Sequence, residues 1–132
     1  MQIDNLVVSL ETAKKLKAAG WSKPTAFVQV KHSNKIYELR AHSTSMDTYK
    51  VPYLPAPTAE EILRELPESI KIKRKPLWLS IHKDADIVGF FLSYLSGDNV
   101  DMVVMPSNKS LSEAAAQMWI WCKENNYLEG KK

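Results

Sequence analysis

Four short apolar segments follow one another in the second half of the chain, and this feature most restricts the fold. The connections between them, RKP, KDAD and SGDN, are rich in residues that form tight turns. Strands joined this closely pair as antiparallel neighbours. The sequence therefore predicts an antiparallel meander made of SIKIK (69–73), LWLSIH (77–82), IVGFFLSYL (87–95) and VDMVVM (100–105).

Two more strands are predicted near the N-terminal end. TAFVQVK and KIYELR, joined at HSN, are rich in β-branched and aromatic residues and predict a hairpin with strands near 25–31 and 35–41. The segment 41–57 contains Pro52, Pro55 and Pro57, which prevent most ladder or helix hydrogen bonds. We therefore expect a long connection there.

Three helices are predicted from their end signals and apolar spacing. Ser9 and Gly20 flank LETAKKLKAA as an N-cap and a left-handed terminator. Capping boxes, in which a Ser or Thr is followed three residues later by Glu, precede the other two helices. The helices are PTAEEILREL, with Thr58 and Glu61, and LSEAAAQMWIWCKENN, with Ser110 and Glu113.

The predicted element order is α-β-β-α-β-β-β-β-α within a single domain of residues 1–132. This order favours an α+β fold, in which helices at the N-terminus, middle and C-terminus cover one face of a largely antiparallel sheet. Hydrophobic residues make up 45% and charged residues 25% of the chain, which is typical of a globular domain.

Several classes of protein are made unlikely by what the sequence lacks. No apolar run reaches the ~20 residues that span a bilayer, so no membrane partner is expected. A single cysteine, Cys122, and an N-terminus without signal-peptide features predict a cytoplasmic protein. Four isolated glycines exclude a P-loop, and no GxSxG or HExxH motif occurs. No cofactor is expected.

A cluster of basic residues suggests one possible site. Lys71, Lys73 and Lys75 would line one side of a strand, with Arg74 on the other side and Trp78 near enough to stack on a base. Lysines on edge strands also prevent unwanted pairing between sheets, which explains the same residues without a ligand.

A second possible site is the segment HKDAD. His82, Asp84 and Asp86 alternate at strand spacing, so all three could project to one side and hold a divalent ion. The same segment is also typical of a turn between two apolar strands. His32 and His42 lie in a predicted hairpin and a predicted loop, each without a neighbouring carboxylate at ligand spacing, and are expected to be surface residues.

The last helix suggests a contact surface. Its helical projection places Leu111, Ala115, Met118 and Cys122 on one core stripe, and Ala116 and Ile120 on the opposite side. Ala116 and Ile120 are then either a homodimer interface or an isolated exposed apolar pair.

Three segments resemble a known group of proteins: SLETAKKLKAAGW, YLPAPTAEEILRELPESI and SLSEAAAQMWIWCKENNYL. They are similar to small uncharacterised proteins encoded by phages, prophages and mobile elements of bacteria, which share these three helices in this order. ENNY stands where that pattern commonly has a glycine. The resemblance implies that the cytoplasm is that of a bacterial host. It implies no activity, because the group has none assigned.

These observations predict a non-enzymatic accessory protein of a phage or mobile element that binds an unknown protein partner or a second copy of itself. A weak nucleic-acid-binding protein that uses residues 71–75 is the alternative. A metal-dependent hydrolase built on residues 82–86 is the third hypothesis.

Overall fold

The structure, a computed structural model, describes residues 6–86 and 88–128. Residues 1–5, Ile87 and residues 129–132 lie outside the described residues. The expectation that the N-terminus is not a signal peptide falls partly on residues 1–5, and Ile87 is the first residue of the predicted strand 87–95. The helices are α1 (Leu10–Ala19), α2 (Thr44–Thr48), α3 (Ala59–Glu65) and α4 (Leu111–Glu124). The strands are β1 (Phe27–Lys31), β2 (Tyr37–Ala41), β3 (Tyr53–Pro55), β4 (Ser69–Ile72), β5 (Lys75–Asp84), β6 (Gly89–Ser96) and β7 (Met102–Val104).

The predicted α+β class and the order of the predicted elements are confirmed. Two short elements, α2 and β3, lie within the segment 41–57 that was expected to be a connection. The strands form two antiparallel sheets, with orders β2-β1-β3 and β4-β5-β6-β7, where one sheet was predicted. β3 tolerates Pro55 because it is an edge strand, so the missing N–H group breaks no interior ladder.

One face of the four-stranded sheet packs into the core. The register places four buried side chains on this face: Ile70, Leu77, Leu92 and Tyr94. α4 packs against β6, and the hydroxyl of the buried Tyr94 donates to the carbonyl of Pro67 at 2.8 Å. The helical layer and the sheet therefore share one hydrophobic core.

α4 is buried on more than one side because it packs against α1 and α3 as well as β6. This position explains why Trp119 and Trp121 can flank the core stripe that contains Ala115, Met118 and Cys122. The prediction that Ala116 and Ile120 form an exposed contact surface is wrong. Ala116 is 0% exposed, and Ile120 is partly buried against the core. The helical projection had assumed that only one face of α4 was covered.

Two glutamates at helix starts connect distant parts of the chain. Thr58 and Glu61 form the predicted capping box, and the second carboxylate oxygen of Glu61 accepts the Ala26 N–H at 3.0 Å. The side chain of Ser110 caps α4 as predicted, but the Glu113 carboxylate does not complete the box. It instead accepts the Ser9 N–H at 2.5 Å and a hydrogen bond from the Thr12 hydroxyl, so it joins the start of α4 to the start of α1.

Candidate functional site

The face of the four-stranded sheet opposite the core carries a row of apolar side chains. Trp78 on β5 lies directly opposite Leu95 on β6, which lies opposite Met102 on β7. Val104 lies on the same face, two residues further along β7. We call Trp78, Leu95, Met102 and Val104 the open face. Its outer members are about half exposed: Trp78 52%, Met102 53% and Val104 48%.

An aromatic pair continues this side of the sheet along β5 and β6. His82 lies opposite Phe91, and their rings stack with centroids 4.7 Å apart. The Nε2 atom of His82 is 3.1 Å from the Ser93 hydroxyl, within hydrogen-bond distance. The cross-strand stack and this hydrogen bond together fix the imidazole against β6.

The contacts of HKDAD match those of a turn. One carboxylate oxygen of Asp84 accepts the backbone N–H of Asp86 at 3.0 Å, and the other accepts the Ser107 hydroxyl at 2.7 Å. Within residues 6–86 and 88–128, no three His, Cys, Asp or Glu side chains come together in a way that could hold a metal ion. The structure therefore does not bring His82, Asp84 and Asp86 together as ligands, because Asp84 binds the turn and the adjoining chain instead.

The basic cluster is a tight hairpin and not one side of a strand. β4 ends at Ile72, which pairs with Lys75, so Lys73 and Arg74 form the two-residue turn between β4 and β5. Both turn residues have positive φ, 53° and 71°, as a type I′ turn requires. Lys71 lies opposite Pro76 on the same side of the sheet as Trp78. The predicted row of Lys71, Lys73 and Lys75 is thus broken by the turn.

Lys75 forms ion pairs with two carboxylates of the loop between β6 and β7. Its Nζ atom lies 2.8 Å from Asp101 and 2.7 Å from Asp98. The hydrogen bonds that Lys75 donates to Asp101 and then to Asp98 raise the pKa of Lys75, and Lys75 together with the Ser96 hydroxyl holds the pKa of Asp98 well below its usual range. Lys75 therefore ties the hairpin to this loop and is not free to bind a phosphate.

A polar cluster that sequence analysis missed lies beside the three-stranded sheet. His42 Nε2 lies 3.0 Å from Asp47 Oδ2, and the Tyr53 hydroxyl donates to Asp47 Oδ1 at 2.6 Å. The imidazole and phenol rings are also in edge contact, with centroids 5.4 Å apart. We call His42, Asp47 and Tyr53 the polar triad. His32, which has no carboxylate at ligand spacing in the sequence, is paired with Glu38 at 3.0 Å on the β1–β2 hairpin.

The electrostatics of the triad follow from its hydrogen bonds. The Tyr53 hydrogen bond and the nearby His42 lower the pKa of Asp47, so this carboxyl is ionised at neutral pH. The hydrogen bond to Asp47 in turn raises the pKa of Tyr53, which keeps the phenol protonated as a donor. The triad is therefore a fixed set of donors around one carboxylate.

The triad forms one wall of a cleft of about 290 Å³. Trp21, Val28 and Pro55, which are all buried, contribute apolar surface to this cleft. Lys17 and Lys23, both exposed, also line it. The cleft therefore combines apolar, cationic and hydrogen-bonding groups, as small-molecule sites commonly do.

The fold and these two features define a small α+β domain with an apolar open face on one sheet and a separate polar cleft beside the other. Comparisons of the chain with protein-family models, curated proteins and solved structures find no match. Among the helices of the described ranges, none has the length and apolar character needed to cross a membrane.

Proposed function

We propose that this chain is a non-enzymatic binding module whose open face contacts a partner protein. The observation that carries the proposal is the contiguous row of Trp78, Leu95 and Met102, continued by Val104, on the outer side of the sheet. Aromatic residues and Met are enriched at the centres of protein interfaces, and contiguous exposed apolar groups commonly mark such surfaces.

Polar residues border the apolar row, as they do in most interfaces. Lys71 lies towards one end of this side of the sheet, and Asp84 lies at the other end of β5. The partner is therefore expected to present an apolar patch flanked by polar groups. The sequence resemblance supports a partner among phage or host proteins in a bacterial cytoplasm, where an accessory protein of a phage or mobile element would act.

The test is affinity capture from infected or lysogenic cells with the wild-type chain and two variants. Trp78→Ser removes the largest half-exposed ring of the open face. Tyr49→Ser is the matched control, because Tyr49 is an aromatic side chain that is 79% exposed but lies outside this face. We expect one protein to be captured by the wild type and by Tyr49→Ser, and lost with Trp78→Ser. Identical captured sets for all three chains would contradict the proposal.

A second copy of the chain is one form of partner that needs no lysate. Sedimentation of the purified protein over a range of concentrations would show self-association through the open face. The association should disappear in Trp78→Ser and persist in Tyr49→Ser. Circular dichroism of both variants checks that the fold is intact.

Nucleic acid is a second candidate because Lys71 shares the side of the sheet on which Trp78 is exposed, and the turn residues Lys73 and Arg74 adjoin it. Lys71, Lys73 and Arg74 form no ion pair with any residue that the structure describes. Each phosphate contact contributes about 0.7 to the slope of log affinity against log salt for single strands. Replacing Lys71 and Arg74 by Ala should therefore reduce that slope by about 1.4.

The control for this measurement is Lys15→Ala, which removes an exposed lysine that belongs to α1 and not to the hairpin. A short single-stranded oligonucleotide labelled for fluorescence anisotropy serves as the probe. Binding that is absent, or that is equally affected by the double variant and by Lys15→Ala, rules out nucleic-acid binding by the hairpin.

A further inference from the structure

We propose that the cleft beside the polar triad binds a small organic anion, a carboxylate attached to a compact apolar body. The proposal concerns a different surface from the open face and does not depend on it. It rests on the way in which the described residues divide the cleft into apolar, cationic and hydrogen-bonding parts.

The apolar part of the cleft is preformed. Trp21 packs edge-on against Trp119 with ring centroids 5.1 Å apart, and its indole N–H donates to the Lys23 carbonyl at 2.9 Å. The buried Thr25 hydroxyl donates to the Phe27 carbonyl at 2.6 Å, which holds the end of the same loop against β1. A ligand would therefore meet apolar surface that is already ordered, which lowers the entropic cost of binding.

The charges around the cleft favour an anion. Asp47 is the only acidic residue among the described residues that line it, and both of its oxygens are engaged, by Tyr53 and by His42. Lys17 forms no ion pair with any described residue, and Lys23 approaches Glu65 only at 3.8 Å in an exposed pair. Such exposed pairs are weak. Two ammonium groups thus remain available to a ligand carboxylate.

The triad leaves one hydrogen-bonding atom unused. His42 makes both of its contacts, to Asp47 and to the Tyr53 hydroxyl, through Nε2. Its Nδ1 atom has no partner among residues 6–86 and 88–128, although His42 lines the cleft. Asp47 holds the imidazole through the opposite nitrogen and so fixes the orientation of the ring. In the protonated ring, Nδ1 carries a second N–H group that can donate to a ligand carboxylate.

The size of the cleft limits the apolar body. A volume of about 290 Å³ corresponds to about ten water molecules at 30 Å³ each. One six-membered ring with a carboxylate fits within this volume.

The experiment uses three probes that separate charge from apolar surface. Benzoate carries both, benzamide keeps the ring without the charge, and inorganic phosphate keeps the charge without the ring. We expect saturable chemical-shift changes of the Trp21 indole N–H with benzoate, and affinity about tenfold weaker for benzamide and for phosphate. Equal affinity for benzoate and benzamide would overturn the anion assignment, and no saturable shift with benzoate would overturn the site.

A pair of variants in α1 tests whether benzoate binds in the cleft. Lys17→Gln removes a cation that lines the cleft, and Lys15→Gln makes the same change of charge on the same helix outside the cleft. We expect Lys17→Gln to weaken benzoate binding about fivefold and Lys15→Gln to leave it unchanged. Equal effects of the two variants would mean that benzoate responds only to net charge, and the cleft would be rejected.

Discussion

Tyr94 offers the sharpest test of how the core is held together. Its side chain is fully buried on β6, its hydroxyl donates to the Pro67 carbonyl at 2.8 Å, and the Cys122 thiol of α4 lies 3.9 Å from the same oxygen. One hydroxyl therefore links the sheet, the segment after α3, and α4. Tyr94→Phe removes only that oxygen and keeps the buried ring.

The cost at neutral pH follows from this geometry. The ring stays in place, so the variant creates almost no cavity. What is lost is one hydrogen bond, and the Pro67 carbonyl is left without its Tyr94 donor. Such a loss costs about 1–2 kcal/mol. In a chain of this length it lowers the melting temperature by about 4–8 °C.

The pH dependence gives the prediction its second part. Burial, and next the neighbouring Cys122, raise the pKa of Tyr94 well above the ordinary value of about 10. The neutral phenol therefore stabilises the folded state fully below pH 10, and this contribution is lost as the pH rises, by up to about 1.4 kcal/mol per pH unit. Tyr94→Phe has no phenol to ionise and no such loss. The difference in the free energy of unfolding between the wild type and Tyr94→Phe should therefore decrease above pH 10 and reach zero near pH 11.

The assay is urea unfolding followed by circular dichroism at pH 8 and at several values up to pH 11. Tyr49→Phe is the matched control, because it removes the same atom from a ring that is 79% exposed, and its midpoint should equal that of the wild type. An unchanged midpoint for Tyr94→Phe at pH 8 would refute the role of the hydrogen bond. A stability difference between the wild type and Tyr94→Phe that stays constant up to pH 11 would refute the raised pKa of the buried phenol.

Three further predictions concern the helices. Thr58→Ala and Ser110→Ala should each cost about 1 kcal/mol and lower the urea midpoint without changing the slope; two unaffected midpoints would show that these caps do not stabilise α3 and α4. Glu113→Gln, which leaves only one acceptor oxygen for two donors, should cost about 2 kcal/mol, and hydrogen exchange should become faster in the first turn of α1 specifically. Burial raises the pKa of Cys122 to about 11, so the native thiol should react with Ellman's reagent at pH 8 only as fast as the protein unfolds; rapid labelling of the folded chain would contradict its burial.

The four-stranded sheet could be predicted because its signals are local. Apolar strands separated by short turns determine neighbours and direction without long-range information, and the order of the elements followed from them. The errors within this sheet have a physical cause. The predicted connection RKP lies one residue too late, because the turn consists of Lys73 and Arg74. Both residues take positive φ values, at positions where a type I′ turn normally has Asn and Gly, so the sequence did not mark the exact position of the turn.

The features that were missed depend on tertiary structure. His42 and Asp47 meet because the short helix α2 turns the chain within a segment whose prolines suggested only a connection. Tyr53 joins them because β3 pairs with β1, a contact that local pattern does not show. Ala116 was misplaced since helical spacing shows which residues share a face of α4 but not how many faces are covered.

The bridge between Glu113 and Ser9 has a consequence for the order in which the chain folds during its synthesis. The two residues are 104 positions apart, and α4 also supplies packing surface for α1 and α3. Until the ribosome has released α4, the apolar sides of Leu16 and Ile62 lack a major part of their cover. Before α4 has emerged, the nascent chain therefore exposes these surfaces to chaperones, and they become covered only when α4 docks.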